Sequence, residues 1–220
     1  MKISILCTSA SHPVNAHLER WIAAHCGEHQ IELLRRRADL VGGDLLFLVS
    51  CGEIVPVDDR NKFTSTLVLH ASDLPTGRGW NPHIWTLLAG ANSLTVTLLE
   101  AEDKVDSGDI WAQVVVPVPR HALWDEVNEL LFSAEMSLLD EAIARFTYPH
   151  PRSQSVTIEP SHFRLRTPAD SRIDPTRTIE EQFDLLRLCD PNRYPAYFDL
   201  RGRRYKITLE KVGDAERNCD

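Results

Sequence analysis

Long apolar runs are missing from this chain of 220 residues: no stretch approaches the ~20 residues that a membrane-spanning helix requires. The opening segment, MKISILCTSAS, has too short an apolar core for a secretory signal. Cysteine is sparse and follows no pairing pattern. The five residues Cys7, Cys26, Cys51, Cys189 and Cys219 are odd in number, widely spaced and without a CxxC pair. That excludes a zinc ribbon and a disulfide framework, and it fits a reducing cytoplasm. Basic charge is in deficit, with 24 Lys and Arg against 32 Asp and Glu and a net charge of −8. A phosphate-binding surface wants the opposite balance, so nucleic acid is not an expected partner, and neither is a membrane. Arg35–Arg37 and Arg201–Arg204 read either as solvated turns or as local anion contacts. His12, His17, His25 and His29 have no carboxylate or cysteine neighbour to complete a metal set, so they read as helix-surface residues and no metal is expected. No internal repeat is present, and no glycine fingerprint follows the first apolar run.

What is present is an alternation of short apolar runs and helical patterns. Ile3–Cys7 reads as a strand rich in β-branched residues. Ser9 and Ser11 before Pro13 mark a helix start; Leu18, Trp21, Ile22 and His25 follow at helical spacing, and Gly27 stops it. Ile31–Leu34 and Leu45–Val49 are strands, the second an unbroken apolar run of the buried parallel type. The loop CGEIVP (51–56) follows. Leu67–Leu69 is a strand, Pro82–Leu88 a helix closed by Gly90, and Leu94–Leu99 and Ile110–Val116 further strands, the last ended by Pro117 and Pro119. Ala122–Phe146 is the strongest helix, with Leu123, Val127, Leu130, Leu131, Ala134, Leu138 and Ala142 on one stripe. This order predicts an α/β fold whose sheet is covered by helices over residues 1–146. Five prolines between Pro149 and Pro175 make 147–177 a connector that wraps the domain. Residues 178–212 are expected to pack on the same domain as a helix around Ile179–Leu188 and a hairpin of Tyr194–Leu200 and Tyr205–Val212 turning at Arg201-Gly202. Residues 213–220 are expected to fray.

Two polar residues stand at the ends of buried runs. His70 closes Leu67–Leu69 and is followed by a Pro- and Gly-rich turn; Asp106 follows Leu94–Leu99. In open α/β sheets the crevice beyond the strand ends is where ligands bind. The first segment reads His70, Ser72, Leu74, Pro75, Arg78, Gly79, and the second Asp106, Gly108, Asp109. These resemble the NxHxSxLPxxRG and DxGD motifs of the folate-dependent formyltransferases, in the family's order. The stretch TIEEQFDLLRLCDPNRYPAYFDLRGRRYKITLEKV (178–212) is similar to the tail of the nucleotide-sugar N-formyltransferases. The resemblance covers about 44–146 and 175–212, while the first 43 residues match only as a βαβ start.

The resemblance implies a Rossmann-like, mostly parallel sheet with flanking helices and a small C-terminal helix and hairpin. It implies transfer of a formyl group from 10-formyltetrahydrofolate to an amine. His70 and Asp106 are the expected catalytic pair: one group must stabilise the negative oxygen that develops, and another must take the amine's proton. The family's asparagine two residues before the histidine is Val68 here. A substitute donor is therefore expected from Asn81, from Ser50, or from the backbone amides of Cys51, Gly52 and Glu53. A βα unit before His70 is expected to be trimmed or missing. The resemblance places the folate against Cys51, Gly52, Glu53 and Ile54 and against Leu99, Glu100, Ala101 and Val105. Ser72, Arg78, Trp80, His83 and Tyr194 are the candidate substrate-binding residues. Within that set Ser72 shapes the turn, and Arg78 meets either a phosphate or an acid of its loop. Asp109 is expected to bond backbone amides. A nucleotide-linked amino sugar is the expected acceptor: no length for a further barrel domain, as in the tRNA enzymes, follows residue 146, and no glycine-rich loop follows strand one, as in the glycinamide ribonucleotide enzymes. A glycinamide-type enzyme and a non-catalytic binding module are the alternatives, the second favoured by Val68. Strand edges in the hairpin are free to pair across a homodimer.

Overall fold

A computed structural model describes residues 1–213. The chain begins with β1 (Lys2–Leu6), α1 (Asn15–His25), β2 (Gln30–Leu34) and β3 (Gly43–Leu48). A single helical turn, α2 (Val57–Arg60), leads to β4 (Phe63–His70). Then come β5 (Arg78–Gly79), α3 (Pro82–Leu88), β6 (Ser93–Glu100), β7 (Ile110–Pro117) and α4 (Trp124–Arg145). The remainder holds β8 (His162–Phe163), a 3-10 turn at Pro168–Ser171, α5 (Ile179–Arg187), β9 (Ala196–Leu200) and β10 (Arg203–Ile207).

The central sheet has the order β2-β1-β3-β4-β6-β7. The β2/β1, β1/β3 and β3/β4 pairs are parallel, and β6 and β7 add antiparallel. β1 and β3 are apolar almost throughout because α1 and α4 cover one face and loops the other; Ile3, Ile5, Leu45 and Phe47 are fully buried. Removing a ring such as Phe47 from this cluster would cost about 3–5 kcal/mol. The chain leaves β1 toward β2, then returns to the other side of β1 at β3. That reversal opens a crevice at the carboxyl ends of the strands. The β3-to-β4 crossover carries only α2, and the loop after β3, Ser50 to Val55, lines that crevice.

The C-terminal third is tied down at several points. Thr178 caps α5: its hydroxyl accepts the Glu181 N–H at 3.2 Å while Glu181 accepts the Thr178 N–H at 3.0 Å. Arg187 is 2% exposed and donates to the Ala122 carbonyl at 3.0 Å and to Asp184 at 2.6 Å, fixing α5 to the start of α4. β8 pairs with β5, and Arg152 pairs with Ile110 at the start of β7.

Several boundaries differ from expectation. α1 begins at Asn15, not at the serines; the Asn15 amide takes up the carbonyls of Ser9, Ala10 and His12 at 2.9, 3.1 and 2.8 Å, which holds the approach non-helical. The last strand covers Arg203–Ile207 and not Tyr205–Val212, because β9 offers only five residues to pair. α2 and the β5/β8 pair carry no periodic signal in so few residues. From 214 onward the expectation of fraying lies outside the described residues. Among the described residues no helix is long and apolar enough to cross a membrane.

Candidate active site

β4 delivers His70 to the crevice, 8% exposed. Its Nε2 donates to the Gly77 carbonyl at 2.9 Å, so the following turn orients the ring. Nδ1 then faces Asp106 Oδ1 across 3.5 Å, beyond ordinary hydrogen-bond length and open to a third polar atom. Asp106 is itself held: its Oδ2 accepts the Gly79 N–H at 2.8 Å, and its backbone is left-handed, with φ of 57°. Gly108 makes that turn possible, because a Cβ there would meet the Glu100 carbonyl at 2.0 Å.

These residues open onto a cavity of about 610 Å3. His70, Asp106 and Asn81 all line it, as do Cys51, Gly52, Glu53, Ile54, Glu100, Ala101 and Val105 on one side and Trp80, His83 and Tyr194 on another. Leu99 does not: it is fully buried against Leu74 and Ile110. Ser72 and Arg78 are buried beneath the site and do not line it either. The Ser72 carbonyl accepts the Thr97 hydroxyl at 2.7 Å, and Arg78 donates to Gln154 at 2.6 Å. Asp109 gives its backbone carbonyl to the Glu100 N–H at 2.9 Å.

The candidate donors in place of the family asparagine divide clearly. Ser50 contacts His12 Nε2 at 3.3 Å, and the Gly52 N–H donates to Thr8 at 2.9 Å, so both are engaged. Asn81 sits before α3 with φ of 51°; its Oδ1 accepts the Arg166 N–H at 3.3 Å. Its Nδ2 has no partner among the described residues. Val68 lines the same cavity, packed against Leu74, Leu99 and Ile110.

Among the cavity residues that sequence reasoning missed are His12, Arg166, Arg193 and Glu135. His12 is not on a helix surface: it lies before α1, edge-on to Phe132 with ring centroids 5.8 Å apart. Burial, with Arg193 nearby, lowers its pKa to about 4. His83 is lowered to about 4 by burial and by His12, Arg166 and His70. Arg166 and Arg193 flank the Tyr194 ring, each 5.7 Å from its centroid. Glu135, on α4, is 6% exposed, and burial alone raises its pKa to about 8. Glu135 did leave a signal: it sits four residues after Leu131 and three before Leu138, inside the apolar stripe. The arginines left none, being isolated in a proline-rich segment and a turn.

The formyl transferase family model matches residues 8–143, which spans β1's exit through α4 and contains both His70 and Asp106. The chain belongs to the formyl transferase family. It is 29% identical over 187 residues to a methionyl-tRNA formyltransferase of Protochlamydia amoebophila, covering 80% of this chain and 57% of that one. The chain thus spans little more than half the length of that curated relative. Two solved structures share the fold. HypX of Aquifex aeolicus in complex with tetrahydrofolic acid has a TM-score of 0.78 at 21% identity, over 95% of this chain and 37% of that one. A sugar N-formyltransferase from a Shewanella species has a TM-score of 0.72 at 18% identity, over 97% and 99%.

Proposed function

We propose that this formyltransferase-family protein moves a formyl group from 10-formyltetrahydrofolate to the amine of a nucleotide-linked amino sugar. The observation that carries the acceptor class is the wall contributed by Leu165, Arg166, Leu188, Asp190, Arg193 and Tyr194. It sets two guanidiniums on a cavity of about 610 Å3, a volume in the range of small-molecule sites. Arg166 donates to Ser171 and Cys189, neither of them a carboxylate, so its charge is available to a phosphate.

The folate side is supported by an apolar rim: Ile54, Trp80 and Val105 are 69%, 52% and 52% exposed, surface that a flat heteroaromatic ring would cover. When bound there, 10-formyltetrahydrofolate supplies the formyl carbon. The protein's own groups do the rest. Gly77 commits His70 Nε2, so His70 Nδ1 and Asp106 Oδ1 are the atoms that meet the acceptor amine and take its proton. Asn81 Nδ2 is the donor for the developing negative oxygen.

Methionyl-tRNA is the second reading, supported by the curated relatives. The net charge of −8 weighs against it, since tRNA binding draws on basic surface. Purified protein assayed with 10-formyltetrahydrofolate against nucleotide-linked amino sugars, methionyl-tRNA and glycinamide ribonucleotide decides among them. An N-formylated amino sugar, seen by mass spectrometry, is expected. Formylation of the tRNA alone would replace the acceptor, and folate binding with no turnover of any amine would make the protein a binding module.

A further inference from the structure

His70 stands between two acceptors, and the one that holds its ring proton decides what the site can receive. Nε2 lies 2.9 Å from the Gly77 carbonyl, and Nδ1 lies 3.5 Å from Asp106 Oδ1. A carbonyl only accepts, so the neutral ring bonded to Gly77 carries its proton on Nε2. Nδ1 and Asp106 Oδ1 are then two acceptors facing one gap, a geometry complementary to an amine with two N–H groups. The competing tautomer would carry the proton on Nδ1, donate it to Asp106 and close that gap. The aim and strength of the Gly77 carbonyl therefore matter. Gly77 is left-handed, with φ of 76°, and a Cβ there would meet Phe163 at 2.9 Å and Ser72 at 3.0 Å. Ser161, 84 residues further along the chain, holds this turn at two points. Its hydroxyl accepts the Gly77 N–H at 2.8 Å, and its carbonyl accepts the Arg78 N–H at 2.9 Å. The Arg78 N–H and the Gly77 carbonyl are the two ends of one peptide unit, so a bond at one end polarises the other.

We propose that Ser161 is a positioning residue for His70, fixing the Nε2-protonated tautomer so that Nδ1 and Asp106 together receive the N–H groups of the acceptor amine. This rests on the reading of His70 above as a group that takes the amine's proton. The hydroxyl sets where the Gly77 peptide stands, and the carbonyl strengthens its hold on Nε2. Without that hold, the Asp106 carboxylate draws the ring proton to Nδ1 and the two acceptors become one bonded pair.

Ser161→Ala removes the hydroxyl, while Ser161→Thr keeps it at a solvent-exposed position. Nitrogen NMR of ring-labelled histidine reads the tautomer directly, with the His70 signals assigned by their loss in His70→Asn. The parent and Ser161→Thr should show the neutral ring protonated at Nε2, and Ser161→Ala should show a measurable Nδ1-protonated population. In Ser161→Ala kcat should fall about 10-fold with both KM values within about twofold, and Ser161→Thr should keep kcat within about twofold of the parent. An unchanged tautomer in Ser161→Ala overturns the proposal. An equal fall of kcat in both variants overturns it too, since a residue that only holds the turn together would give that result. The spectra need no turnover. Full activity in His70→Asn would sink the proton-acceptor reading of His70, and the tautomer comparison would still decide whether Ser161 fixes the ring.

Discussion

Gln154 clamps Asp106 from 48 residues away: its amide Nε2 donates to the Asp106 carbonyl at 2.9 Å and to the Gly108 carbonyl at 3.0 Å. Its Oε1 accepts from Arg78 at 2.6 Å, so one side chain of the connector joins the loops that follow β4 and β6. Those loops carry the two halves of the candidate site, and Gln154 holds them in register.

Gln154→Ala should therefore cost about 2 kcal/mol or more, because it releases three hydrogen bonds and leaves the buried Arg78 guanidinium short of an acceptor. For a chain of this size that is a fall of roughly 4–8 °C in Tm by calorimetry. A Tm within about 1 °C of the parent would show that the connector does not hold the loop.

His70→Asn and Asp106→Asn should each lower turnover by ~10² or more without loss of fold. The asparagine at 106 can still accept the Gly79 N–H, so the turn survives while the proton acceptor is lost. Steady-state kinetics with circular dichroism separates the two effects. Full turnover in either variant removes that residue from the chemistry.

Restoring the family's amide with Val68→Asn should not raise turnover. The new side chain would stand against Leu74, Leu99 and Ile110, where an unsatisfied amide costs ~1–3 kcal/mol. Asn81→Ala should instead lower turnover by ~10² or more. Kinetics at saturating folate compares the two. A tenfold gain in the Val68 variant would mean that no substitute donor operates.

Stability should peak near pH 6.5. Above that value, the folded chain keeps Glu135 protonated up to about 8 while the unfolded chain released that proton near 4.5. Stability therefore falls with rising pH by ~1.4 kcal/mol per unit until the folded value is passed. On the acid side, His12 and His83 titrate near 6.5 when unfolded but about 4 when folded. Two protons taken up by the unfolded chain there outweigh the one held by folded Glu135, so stability falls as pH drops from 6.5 toward 4. His83 keeps partial exposure to the cavity, which softens its share. Thermal melts at pH 6.5 and 8 should differ in the parent and converge in Glu135→Gln. An equal slope in both would assign the alkaline limb to another group.

The sequence by itself determined the strand-and-helix alternation and the identity of the central pair. Unbroken apolar runs such as Leu45–Val49 report burial on both faces, and α3 occupies Pro82–Leu88, where its proline start and Gly90 stop put it. His70 and Asp106 are legible because one closes a buried strand, the other sits in the loop after one, and both belong to spaced motifs. Tertiary structure alone decided what surrounds them. Periodicity describes one element's face and is silent on which distant segment will meet it. Ser72 and Arg78 stand among the candidate substrate contacts of their loop, yet the β5/β8 pairing and Gln154 turn Arg78 inward, and Ser72 is buried with its carbonyl on the Thr97 hydroxyl. Leu99 belongs to the core because β4 and β7 flank β6 on both sides. Glu135 was hidden by the apolar stripe around it, and His12, Arg166 and Arg193 reach one cavity only through contacts spanning most of the chain. Those contacts depend on non-local packing and hydrogen bonds, whose partners no local pattern specifies.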